Sequence, residues 1–250
     1  MKNTSVLGVP LSMVKRESFP EMIADAIRGR RRLSIVAINA RKIVRAVREP
    51  EMRRLLMGFD VFLADGSSVV RAADYEVERI AGVDLMEDIC RCSGRIGAKI
   101  FFYGASEESN EGARRELKKR YPDMLIAGYC NGYEDADVLE KINKSGADIV
   151  FIAKGTPLQE RWIISNGGKT GASVLMGVGG SFDVFSGKVR RAPDFIQKAG
   201  LEWLYRMILE PKRFRQIPEL AEFRRLVKRE KKQQMLRIDG GRICKVKKLP

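Results

Sequence analysis

Short apolar runs recur along the chain up to Pro193, each closed by glycine or a polar turn and separated from the next by a charged, helical stretch. Leu33–Ile38 is the first run, and Asn39 and a helical segment from Lys42 to Met57 come after it, with Ile43, Val44, Val47 and Leu55 apolar. Val61–Ala64 ends at Asp65-Gly66, Lys99–Tyr103 at Gly104, and Leu125–Ala127 precedes Asn131-Gly132. Asp148–Ala153 ends at Lys154-Gly155, and Ser173–Val178 at Gly179-Gly180. Glu107–Arg120 reads as a charged helix, and Ile142 lies in the one after it. Strands that are apolar on both sides must bury both sides, and intervening helices supply the cover. The expected fold is therefore α/β, a Rossmann-like parallel sheet covered by helices on both faces. Ligands of such sheets bind beyond the carboxyl ends of the strands. That places the candidate chemistry in the polar and glycine-rich loops that close the runs.

Beyond Pro193 the pattern changes. Leu201–Leu209 is helical and mostly apolar, and Pro211 and Pro218 interrupt the segment after it. Leu220, Phe223, Leu226 and Val227 then recur at helical spacing among Arg224, Arg225, Lys228 and Arg229. We expect a core over residues 1–195 and a basic helical C-terminal appendage over residues 196–250. A basic amphipathic helix of this kind suits a membrane interface, and equally a berth on the core or on a second subunit. That leaves room for a homo-oligomer. The formal net charge is +15, and residues 210–250 carry 14 Lys and Arg against 5 Asp and Glu. An excess concentrated in a tail points to an arm that meets something anionic, either nucleic acid or a lipid surface. Nucleic-acid binding predicts aromatic side chains among the basic ones, and none comes after Phe223, so no nucleic-acid partner is expected. No stretch approaches the ~20 apolar residues of a membrane span, and residues 1–10 lack a signal-peptide core. The four cysteines (Cys90, Cys92, Cys130, Cys244) have no framework spacing and read as free thiols of a cytoplasmic protein.

The chain has no histidine. Ser-His-Asp and Cys-His catalysis, histidine-bound metals and a histidine base are excluded, so acid–base work falls to Asp, Glu, Lys, Tyr or Cys. Asp65-Gly66 is a common turn pair, yet it closes a buried strand where ligands bind. Gly177-Val-Gly-Gly-Ser-Phe182 succeeds a strand like a dinucleotide fingerprint, but Phe182 stands at the third glycine and no acid lies at about 20 residues beyond. Such a loop can still bring backbone N–H groups to a phosphate, or be a tight turn only. Asp135-Ala-Asp137 has the spacing of a metal clamp but opens a helix, where capping is its expected role; no metal is predicted. Gln159 and Glu160 could hydrogen-bond a sugar or ribose, or cap the helix before Trp162. A nucleic-acid-binding protein and an NAD-dependent oxidoreductase remain as rival classes, the second wanting a better fingerprint.

Six segments together resemble one family: Asp65-Gly66, Ala81–Met86, Gly155–Trp162, Gly177–Asp183, Gly187–Pro193 and Gly200–Arg206. They are similar to the WecG/TagA/CpsF glycosyltransferases, over about Val6 to Arg215. The resemblance implies an inverting, metal-independent hexosyltransferase with no cofactor. It would use a UDP-sugar, with N-acetylmannosamine or its uronic acid as the typical sugar, and a polyprenyl-diphosphate-linked glycan as acceptor. The products would feed teichoic acid or other surface polysaccharides. The enzyme would then work in the cytoplasm, peripheral on the inner, anionic face of the cell membrane. Asp65 resembles the base that takes the acceptor proton, and Arg206 and Arg213 resemble appendage arginines that complete the site. Tyr133 is similar to an aromatic stacked on uracil, Asp183 to its hydrogen-bonding partner, and Gln159 to a ribose contact. The expected substrate-binding set is Asn39, Gly66, Arg79, Gly104, Tyr133, Gln159, Glu160, Gly179, Gly180, Ser181 and Asp183. One departure stands out: the family often has Thr two residues before the Asn, and here that position is Ala37.

Overall fold

A computed structural model describes residues 2–134, 136–193, 196, 202–209, 214 and 217–239, with backbone only at 202, 203, 206, 209 and 235–239. Six parallel strands form the central sheet: β3 (Leu33–Ile38), β4 (Val61–Ala64), β5 (Lys99–Gly104), β6 (Leu125–Cys130), β7 (Ile149–Ala153) and β8 (Val174–Gly177), in the order β4-β3-β8-β7-β5-β6. A preceding antiparallel hairpin, β1 (Asn3–Val6) with β2 (Val9–Ser12), closes the β4 edge, where the Phe62 N–H donates to Ser12 Oγ at 3.0 Å. This is the expected α/β architecture.

Alternate strand residues feed two cores. Val36, Ile38, Phe62, Val150 and Ile152 face one side, where α2 (Ala40–Arg48), α3 (Pro50–Met57), α4 (Ser67–Ala72), α7 (Val138–Ser145) and α8 (Leu158–Asn166) cover them. Ile35, Ala37, Leu63, Phe102 and Met176 face the other, under α1 (Phe19–Arg28), α5 (Gly82–Ser93), α6 (Glu107–Arg120) and α9 (Ser181–Phe185). Burial on both faces is what makes these strands apolar throughout.

Two local expectations need correction. The helix read from Lys42 to Met57 is two helices, because Pro50 pushes the residue before it out of helical geometry: Glu49 is extended at φ −112°, ψ 105°. Strand β6 runs three residues past Ala127, to Cys130. It is the sheet edge, so Gly128 and the half-exposed Tyr129 break the apolar run that revealed its neighbours. The Arg114 guanidinium covers that tyrosine ring 3.5 Å from its centroid.

The appendage contributes α10 (Glu202–Leu209) and α11 (Ile217–Asp239). Of the places left open for the apolar face of α11, it occupies the core. Phe223 is only 2% exposed within the α2-side core, and Leu220, Leu226 and Val227 pack against it. Polar contacts frame this seat: Arg41 with Glu219 at 2.5 Å, Arg48 with Glu222, Lys231 with Asp74, and the Leu7 N–H with Glu230 at 3.3 Å. Arg224, Arg225, Lys228, Arg229 and Lys232 remain exposed at the surface. No described helix is long and apolar enough to cross a membrane.

Candidate active site

Strand β3 leads into α2 on one face of the sheet, while its neighbour β8 leads into α9 on the other. The chain therefore parts above these two strands, which is where α/β sheets hold their ligands. A cavity of ≈ 330 Å³ opens there, within the usual ligand-site range. Ala37, Gly82, Gly177 and Val178 lie along it from the sheet side. Met207 of α10 and Leu220, Phe223 and Arg224 of α11 line it from the appendage, so the C-terminal helices form part of the site.

Asp65 comes directly after β4, and its N–H donates to the Ile38 carbonyl at 2.9 Å, which extends the β3–β4 pairing by one step. Gly66 then turns the chain into α4 at φ 113°, a conformation in which any side chain is strained. Asn39 caps α2: its side chain accepts from the Lys42 N–H at 3.0 Å. Among the described residues lining the cavity, Asp65 is the one carboxylate, and it shares the wall with Arg41, Lys42, Arg71, Arg79 and Arg224. Such a wall attracts an anion and keeps one acceptor of protons among the cations.

Beneath the wall lies a buried ion pair. Lys42 Nζ is 2.7 Å from Glu160 Oε1 and donates to the Ala37 carbonyl at 2.8 Å, and the two side chains are 7% and 0% exposed. The same carboxylate oxygen accepts from Gln159 Nε2 at 3.0 Å and from Thr156 Oγ1 at 3.2 Å. Gln159 Oε1 in turn accepts from the Gly179 N–H at 3.0 Å.

The cavity brings together Asn39, Asp65, Gly66, Arg79, Gln159, Gly179, Gly180 and Ser181. Glu160 is placed elsewhere: it is sealed beneath the wall and held by Lys42. Neither Gln159 nor Glu160 caps α8, whose N-cap, Pro157, has no side-chain cap bond. Gly104, Tyr133 and Asp183 stand outside the cavity lining, at the end of β5, in the loop after β6 and in α9. Gly104 has φ 113°, and a Cβ there would sit 2.5 Å from the Ala153 carbonyl oxygen. Tyr133 is 84% exposed. Asp183 accepts from Ser109 Oγ at 2.7 Å, and its other oxygen would lie 3.8 Å from a Cβ on Gly180, at the cavity rim. Arg206 is on α10 beside Met207, with only its backbone described, and Arg213 lies outside the described residues. Asp137 occupies the N-cap position of α7 but makes no side-chain cap bond, a correction to its expected role; Asp135 lies outside the described residues. Among the described residues no three His, Cys, Asp or Glu side chains are placed to hold a metal ion.

Sequence reading misses Arg41, Lys42, Arg71 and Arg224. A signal is present for two of them. The first turn of α2 has no acidic residue and carries Arg41 and Lys42, where cations oppose the helix dipole.

The family model of the WecG/TagA/CpsF glycosyl transferases matches residues 4–237. The chain belongs to this family. The match runs through α11, so the appendage is part of what the family shares with this chain. Membership decides among the three classes the sequence leaves open in favour of a glycosyltransferase. A curated relative in Bacillus subtilis (strain 168), N-acetylglucosaminyldiphosphoundecaprenol N-acetyl-beta-D-mannosaminyltransferase, is 33% identical over 204 residues, covering 79% of this chain and 80% of the relative.

Proposed function

We propose that this glycosyltransferase moves N-acetylmannosamine, or a related hexose or hexuronic acid, from a UDP-sugar to a polyprenyl-diphosphate-linked glycan during synthesis of a teichoic acid or another surface polysaccharide. The name of the Bacillus subtilis relative supports both the sugar and the acceptor class. The observation that carries the proposal is the cavity wall itself: among the described residues one carboxylate, Asp65, shares it with four arginines, Arg41, Arg71, Arg79 and Arg224. In the proposed step the acceptor hydroxyl oxygen bonds to the anomeric carbon from the side opposite the phosphate. The bond from that carbon to the phosphate oxygen breaks, and its electron pair leaves with UDP. The hydroxyl proton passes to Asp65, and the configuration inverts. General-base help of this kind is worth about 10²–10⁴-fold in rate. Arginine forks among Arg41, Arg71, Arg79 and Arg224 meet the charge that grows on the diphosphate, with no metal ion required. The nucleoside end extends over Gly180 toward Asp183 and Tyr133.

The lipid acceptor places this chemistry at the inner, anionic face of the membrane. Because the apolar face of α11 is spent on the core, contact with lipid falls to the exposed Ile208, Phe214 and Ile217 and to the basic outer face of α11. The test is incubation with an N-acetylglucosaminyl-diphosphate-polyprenol and a panel of nucleotide sugars, with and without EDTA. Product from a UDP-hexose, unaffected by chelation, is expected. Product only from another nucleotide's sugar, or loss of turnover on chelation, overturns the donor or the metal-free mechanism. Arg206 and Arg213 are proposed to join the cavity arginines at the diphosphate, and unchanged turnover in both Arg206→Ala and Arg213→Ala would remove them from the mechanism.

A further inference from the structure

We infer that the buried Lys42–Glu160 pair is a positioning device: it sets the amide of Gln159 and, through it, the Gly179 loop that borders the cavity. This rests on the cavity being the donor site. The carboxylate of Glu160 only accepts hydrogen bonds, and the Gly179 backbone N–H only donates. The Gln159 amide stands between them at 3.0 Å from each. One of its two flips satisfies both neighbours, with Nε2 to Glu160 and Oε1 to Gly179. The reverse flip sets carbonyl against carboxylate and N–H against N–H. Glu160 therefore dictates which way Gln159 faces, and Gln159 pins Gly179, which turns the chain between β8 and α9 in the left-handed conformation, at φ 53°.

Three observations favour positioning over simple stabilisation. First, a buried ion pair is a weak source of stability compared with apolar side chains of similar volume, so its place under a ligand cavity points to another role. Second, the network is incompletely satisfied: Glu160 Oε2 is buried and has no hydrogen-bond partner in the protein, whereas a pair serving stability alone gains by completing its bonds. Third, the amide is wedged. A Cβ on Gly177 would lie 2.8 Å from Gln159 Nε2 and 3.2 Å from its Cδ, so only a glycine leaves room for the amide at this place. The carboxylate thus ties together α2, the end of β3, α8 and the loop after β8, all four of which reach the cavity.

The test compares two double variants that both remove the buried charges. Lys42→Met with Glu160→Leu leaves no acceptor for Gln159 Nε2, and Lys42→Met with Glu160→Gln restores one through the amide oxygen. The readouts are hydrogen exchange at the Gly179 amide, KM for the UDP-sugar against kcat, and melting temperature. We expect the Leu variant to exchange Gly179 faster and to raise KM by roughly 10-fold relative to the Gln variant, with kcat within about 3-fold, at comparable melting temperature. Equal exchange and equal KM in the two variants overturn the proposal, because a merely structural pair would not distinguish them. Should either double variant fail to fold, Gly177→Ala, which crowds the same amide with the ion pair intact, is expected to speed Gly179 exchange; unchanged exchange overturns it. Exchange is read without donor, so its failure is separate from failure of the wild-type protein to bind UDP, which would refute the donor-site reading instead.

Discussion

Replacing Phe223 by alanine should undock α11 while leaving the sheet intact. Phe223 is 2% exposed and belongs to the same core as Ile43, Val44 and Val36. Truncating a buried phenylalanine to alanine costs about 3–5 kcal/mol. The ring also borders the cavity, where it lacks packed neighbours, so the lower end applies here, about 3 kcal/mol. That is roughly 100-fold in the undocking equilibrium. The polar frame contributes far less. In Arg41–Glu219 and Arg48–Glu222 the arginine side chains are 44% and 55% exposed, and pairs of that kind are worth about 0–1 kcal/mol each. The assay is hydrogen exchange followed by mass spectrometry, with α11 peptides read against β7 as an internal reference. Phe223→Ala should speed α11 exchange by roughly 100-fold, and the Glu219→Ala/Glu222→Ala double variant by less than about 30-fold. Since Phe223 and Arg224 line the cavity, kcat/KM should also fall in Phe223→Ala. If the double variant loosens α11 as much as Phe223→Ala does, or if Phe223→Ala leaves its exchange unchanged, the apolar anchor is not what holds the helix.

Asp65→Asn should lower kcat by about 10²–10⁴-fold while UDP affinity, measured by calorimetry, stays within about 3-fold, since the amide keeps the shape and loses the base. Gly66→Ala places a Cβ at φ 113° in open space, so it should cost about 1–3 kcal/mol through backbone strain alone, read as a lower melting temperature. Burial pushes the Cys90 thiol well above its ordinary value of 9.0, so it stays neutral in the folded protein at pH values where an unfolded chain ionises it. Stability from this residue is full below pH 9.0 and falls above it by up to about 1.4 kcal/mol per pH unit, and Cys90 should resist alkylation at pH 8 until the protein is unfolded.

Much of the fold and part of the site are legible in the sequence because their signals are local. A strand buried on both faces announces itself as an apolar run, as Leu33–Ile38 and Ile149–Ala153 do, and the residue that ends it is read at the same glance. Asp65 emerges in that way. Strand β6 reads too short because its edge position relaxes the demand for apolar residues, and α2 runs into α3 because helical periodicity outvotes Pro50. Glu160 reads as a ligand contact because its place after a strand is visible in the sequence, whereas its burial under Lys42 is not.

The sequence by itself determined the parallel α/β sheet, the loops at its strand ends where a ligand is expected, the exclusion of histidine catalysis, and the place of Asp65 in one of those loops. Each depends on composition or on a period of a few residues. Only the tertiary structure decided that the apolar face of α11 lies on the core, that Arg41, Arg71 and Arg224 join Asp65 around one cavity, and that Lys42 and Glu160 meet beneath it. Those facts depend on which distant segments become neighbours. An exposed arginine and one aimed into a cleft have the same local sequence, and what separates them is the packing of the chain around them.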